Sequence, residues 1–132
     1  MMEARDEWID VPYDRSIFSG HAPLHWNVGE ANVVTYAYRL QGKTMTLAFK
    51  VVNSALEGIP ANELYLRIPD HYLPQRSIAN AIWLGGLAGK ECGYATVHPG
   101  FDRVVMFRGN EERFPVDPGG FCLFGQLTFE VQ

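Results

Sequence analysis

The sequence predicts an all-β protein: an antiparallel β-sandwich, jelly-roll-like, with about eight strands. Three observations carry this. The stretch Val33 to Val52, VVTYAYRLQGKTMTLAFKVV, reads as two strands joined at Gln41-Gly42. The closing stretch, Phe121 to Gln132, alternates apolar and polar residues for longer than any other segment. No convincing amphipathic helix occurs anywhere along the 132 residues.

The charged leader Met1 to Arg15 comes first and is expected to pack on the fold or stay partly flexible. Within it Trp8 should dock, and Pro12 should hold an extended stretch at an edge. Ser16 to Glu30 is rich in turn residues, with a short strand expected near Leu24 to Val28.

The hairpin follows. With Leu40 opposite Lys43, Tyr38 faces Met45, Tyr36 faces Leu47 and Val34 faces Phe49, all on one side. Thr35, Ala37, Arg39, Thr44, Thr46, Ala48 and Lys50 take the other side. A slip of one residue would put the whole apolar set in water, so the faces are well specified.

NSALEGIPANE then reads as a polar loop, and Leu64, Leu66 and Ile68 as one face of a half-buried strand stopped by Pro69. DHYLPQRS should be an exposed bend. Ile78 to Leu84 is apolar enough for a strand, and Gly85 to Lys90 is a glycine-rich turn. Cys92 to His98 and Arg103 to Arg108 read as partners. GNEERFPVDPGG is the most polar loop. In the last strand Phe121, Leu123, Gly125, Leu127, Phe129 and Val131 face one way, and its start is apolar on both sides.

The chain is one domain in length, 1–132, and long enough to bury a full core. Its formal net charge of −4, with no basic run, argues against nucleic acid and anionic lipid as partners. No apolar run approaches the roughly 20 residues of a membrane span, so no membrane insertion is expected. The polar start MMEARDEWID lacks the form of a signal peptide, which places synthesis in the cytoplasm without standard export. Cys92 and Cys122 read as free thiols, too few for a structural zinc site.

Catalytic chemistry is not legible. GGLAGK has Leu84 where a phosphate loop needs its first glycine, and Glu91 where it needs Ser or Thr. Pro23 between His21 and His25 spoils a helical metal pair, and His71 and His98 stand alone. No GxSxG occurs, and Glu111 and Glu112 read as solvated loop charge. No catalytic residue, cofactor or metal is therefore assigned. Exposed aromatic rings are the better lead, because flat rings stack on the apolar faces of sugars. The candidates are Tyr72 in the bend, Trp83 beside the glycine-rich turn, and Trp26.

Trp26-Asn27-Val28, TYAYRLQGKTMTLAFKV, ELYLRIPDHYLP and the closing GQLTFEV occur in that order. This layout resembles the small β-sandwich modules that end phage tail-fibre and baseplate receptor-binding proteins. It is also similar to small phage and bacterial proteins of the same layout. Ile68-Pro69-Asp70-His71-Tyr72-Leu73-Pro74 carries the family's proline-bounded segment after the strand pair. The likeness covers Trp26 to Pro74 and Gly125 to Val131. It implies a jelly-roll-like sandwich, a homo-oligomer that is often a trimer, association with a virion, and a cell-surface glycan as receptor. Phe124, Cys122, Val104 and Met106 on the nominal outer face would suit a subunit contact. The expected function is thus a non-enzymatic binding or structural module. The alternatives are a glycan-active or metal-dependent jelly-roll enzyme, and an accessory domain with no ligand of its own.

Overall fold

The computed structural model describes residues 7–86 and 89–132. Residues 1–6 of the leader, and Leu87 and Ala88 of the glycine-rich turn, lie outside the described residues. Strands make up 62% and helical turns 7%, which fixes the class as all-β and antiparallel.

Ten strands follow in chain order: β1 (Ile9–Asp10), β2 (Phe18–Gly20), β3 (Leu24–Asn27), β4 (Val33–Gln41), β5 (Thr44–Gly58), β6 (Leu64–Arg67), β7 (Ile78–Gly85), β8 (Lys90–Val97), β9 (Arg103–Arg108) and β10 (Asp117–Glu130). Their ladders join into one curled sheet, ordered β1-β4-β5-β10-β7-β8-β9-β6-β2, with β3 added to β5. The antiparallel all-β expectation holds, and the ladders run on as one continuous hydrogen-bonded path. The link β10–β7 is short, only Cys122 to Phe124 against Trp83 to Gly85.

The hairpin forms with the expected faces and a different register. Gln41 pairs with Thr44, Tyr38 with Leu47 and Tyr36 with Phe49. The turn is Gly42-Lys43, with Gly42 at φ 64°. A primed turn with glycine first suits the twist of a hairpin, whereas Gln41 would resist the positive φ of that position. Each partner moves by two residues, and an even shift keeps every side chain on its face. Tyr36, Tyr38, Met45, Leu47 and Phe49 are accordingly buried together. Val34 departs: a bulge between Val33 and Thr35 turns it outward, 57% exposed.

The larger correction is β5 itself. It continues through NSALEG for 15 residues in all. Asn53 takes φ 55°, and at that point the β10 register slips. The extra residue flips the phase, so that Met45, Leu47, Phe49 and Val51 point inward before the bulge and Ser54 and Leu56 after it. Asparagine tolerates the left-handed region, so the strand bends there instead of ending.

Other expectations also shift. Val104 and Met106 are fully buried, which removes them from any outer contact. In the polar loop before β10, Phe114 is fully buried and its N–H donates to Ala61 at 2.8 Å. Asp117 accepts from the N–H groups of Gly119 (3.1 Å) and Gly120 (2.7 Å), which anchors the irregular start of β10. Pro74 in the nominal bend is buried and bridges to Val131. Trp8 stays 44% exposed, with the Arg39 guanidinium 5.1 Å from its ring centroid. No helix among the described residues is long and apolar enough to cross a membrane.

Three phenols are held by hydrogen bonds, two of them to residues distant in sequence and one to a near neighbour. Tyr36 Oη donates to the Arg67 carbonyl, Tyr38 Oη to Asp70 Oδ2, and Tyr65 Oη to Glu63 Oε1 at 2.6 Å. Burial pushes all three phenols up, helped at Tyr38 by Asp70 and at Tyr65 by Glu63; Tyr65 reaches about 12. A phenol is neutral when protonated, and its unfolded pKa is about 10. Stability from these groups is therefore fully present below pH about 10 and is lost as pH rises through the folded values. Alkaline titration should show three phenolate absorbances appearing only together with loss of the β-sheet circular dichroism. Ionisation of all three near pH 10 in a protein with intact circular dichroism would contradict these contacts.

Candidate functional groove

Across the short β10–β7 link runs a row of exposed side chains. Lys50 of β5 pairs with Phe124 of β10, Phe124 with Trp83 of β7, and Trp83 with Cys92 of β8. These positions are out of phase with the buried ones, so all four point to the outer face. Trp83 is 59% exposed and Phe124 51%. The Lys50 ammonium lies 5.5 Å from the Phe124 ring centroid, a cation–π contact.

Around the two rings lies an open, mainly apolar groove of about 470 Å³. Val52 and Cys122 flank the aromatic pair, and Lys90 closes the side nearest β8. Glycine shapes its end. Gly85 has no side chain to fill the space, and Gly86 takes φ 89° with its Cα against the Gly120 carbonyl. A Cβ at Gly86 would strike that oxygen, so the position requires glycine. The outer face continues past the groove to Tyr94 and Phe107, cross-strand partners whose rings stack at 4.9 Å.

Of the three aromatic residues nominated from sequence, only Trp83 lies in this groove. Trp26 is a correction. It is 3% exposed, its Nε1–H donates to Ser54 Oγ at 2.9 Å, and Phe18 and Phe121 meet it edge to face. A ring closed off in this way offers no face to a ligand. Tyr72 is half-buried and packs edge to face on Tyr38, with centroids 6.1 Å apart. The nominated residues do not converge. Phe124, Lys50 and Lys90 supply what Trp83 needs, and nothing in local sequence marks them as its neighbours.

A second, polar cavity of about 500 Å³ is bordered by Asp14, Arg67, Asp70, His71 and Asp102. Asp70 and His71 both take positive φ, 57° and 62°. Asp14, Arg67 and Asp70 have partners within the fold. The Asp14 carboxyl is held below the usual range by the Ser16 N–H and hydroxyl, with Arg67 adding to the effect. The Arg67 guanidinium bonds Ser16 Oγ at 2.8 Å and lies 3.6 Å from Asp14. Asp70 accepts from Tyr38. This network joins the leader to β6 and needs no ligand to complete it. Among the described residues, no three of His, Cys, Asp and Glu gather as a metal centre.

Both cysteines are unbonded. Cys92 and Cys122 lie on strands separated by β7, in different cross-strand rows. Two strand spacings, about 9.6 Å, exceed the Cα separation a disulfide spans.

Compared with family models, curated proteins and solved structures, the chain matches none.

Proposed function

We propose that the protein is a non-enzymatic binding module that presents the Trp83–Phe124 groove to a sugar ring of a cell-surface glycan. One observation carries this reading. Two large aromatic side chains stand side by side on neighbouring strands, both more than half exposed, over a groove edged by ammonium groups. Exposing such rings to water is unfavourable for folding alone. A sugar offers an apolar C–H face to the rings and hydroxyls to polar neighbours. The likeness to fibre-tip modules points the same way.

Glycan-array screening of the wild type and Trp83→Ala tests it. The substitution should weaken retention by at least about thirtyfold, the loss of a central aromatic anchor. Its melting temperature should stay close to wild type, because an exposed position contributes little to stability. Absence of any retained glycan, or retention unaffected by Trp83→Ala, would sink the reading.

The same exposed rings favour a second reading, a contact between copies of the chain in a homo-oligomer. Sedimentation distinguishes the two: an oligomer that Trp83→Ala converts to monomer assigns the groove to subunit contact.

A further inference from the structure

The chain carries a formal net charge of −4, and the groove has the opposite sign. Lys50 and Lys90 both line it, and no Asp or Glu does. Three arginines elsewhere have carboxylate partners, Arg67 with Asp14, Arg76 with Glu130 and Arg108 with Glu91, whereas the Lys50 ammonium lies over the Phe124 ring. Among the described residues neither lysine is in a salt bridge, and both are exposed.

Their placement is two-sided. Lys50 stands two strands from Trp83, beyond Phe124, about 9.6 Å away in strand spacings. Lys90 lies on the other side, one strand across and two residues along, because it pairs with Gly85. That diagonal is about 7–8 Å, within reach of a long side chain, and Gly85 leaves the path open. A ring stacked on Trp83 and Phe124 therefore has an ammonium group at each rim. A cleft of one sign in a protein of the other sign concentrates ligands of matching charge.

Resting on the sugar-binding reading above, we infer that the groove selects acidic sugars. The ligand ring carries a carboxylate or sulfate that the Lys50 and Lys90 ammonium groups take, while Trp83 and Phe124 take its apolar face. Neutral sugars keep the stacking and lose the charge-assisted bonds.

The test is an array holding neutral, uronate-bearing, sialylated and sulfated glycans, probed with wild type, Lys50→Gln, Lys90→Gln, the double variant and Trp83→Ala. Both lysines are exposed, so glutamine leaves the fold in place. Retention should concentrate on the acidic glycans and fall as salt is raised. Each glutamine variant should lose about tenfold on acidic glycans. Comparing the uronate, sialylated and sulfated spots then identifies the anion. Retention of neutral glycans that depends on Trp83 and ignores both lysines would overturn the charge selection and leave the sugar-binding reading intact. Retention of no glycan of either kind would overturn both.

Discussion

Phe121→Ala is expected to destabilise the protein by roughly 3–5 kcal/mol, the range for removing a large aromatic side chain from a packed core. Phe121 is fully buried. Its ring meets Trp26 edge to face at 6.1 Å and Phe114 at 5.8 Å. Its carbonyl accepts the Ser54 hydroxyl at 2.9 Å. The residue lies where the β10–β5 register slips, one position before β10 begins to pair with β7. A cavity there would loosen the strand that joins the two arms of the sheet. For a chain of this length the melting temperature should fall by roughly 10–18 °C, read by circular dichroism. A loss below about 1 kcal/mol would mean that the aromatic cluster is not part of the cooperative core.

Alternation made most strands readable. Arg103 to Arg108 forms as written, and the inward set of β10 is the one its period-two pattern assigns. Two errors came from turn chemistry. Reading Gln41-Gly42 as the hairpin turn put glycine second, whereas the fold puts it first, where positive φ is required. Reading Asn53-Ser54 as a loop treated a polar pair as a stop. Asn53 is a bulge, and Ser54 faces inward to bond Trp26 and Phe121. Local pattern could not reveal that β10 sits between β5 and β7, or that β6 closes on β9. Those pairings join segments distant in sequence, and alternation is equally satisfied by other strand orders.

The same limit explains the site. Trp83 was legible as an aromatic residue beside a glycine-rich turn. Its neighbours were not, because Lys50 and Phe124 reach it only through two long-range ladders. Phe124 did leave a trace: it is the large apolar residue in the outward phase of β10, where Gln126, Thr128 and Glu130 follow. An apolar ring in a polar phase is explained by a binding surface as readily as by a subunit contact, and only placement beside Trp83 and the lysines favours the first. Trp26 misled for the opposite reason. It stands among turn residues in the sequence, but β3 lays it against the second half of β5, whose polar residues resemble a loop in sequence.

Trp26→Ala should therefore behave as a core substitution, costing about 3–5 kcal/mol, with glycan retention lost only in proportion to the unfolded fraction. The ring fills space between Phe18 and Phe121, and its N–H is satisfied by Ser54. Trp26→Phe is the milder probe. It keeps an aromatic ring and removes the indole donor, at about 1 kcal/mol. Because Trp26 and Phe121 touch, their effects should not add. A cycle of Trp26→Phe and Phe121→Leu, chosen to keep the protein folded, should show a coupling of at least about 0.5 kcal/mol in urea denaturation. Ser54 contributes to that coupling, since it accepts from one partner and donates to the other's carbonyl. Strict additivity would mean that the two rings respond separately, and the Ser54 bridge would then hold backbone alone. Reduced glycan binding by Trp26→Phe with an unchanged melting temperature would return Trp26 to the ligand site and move that site away from the groove.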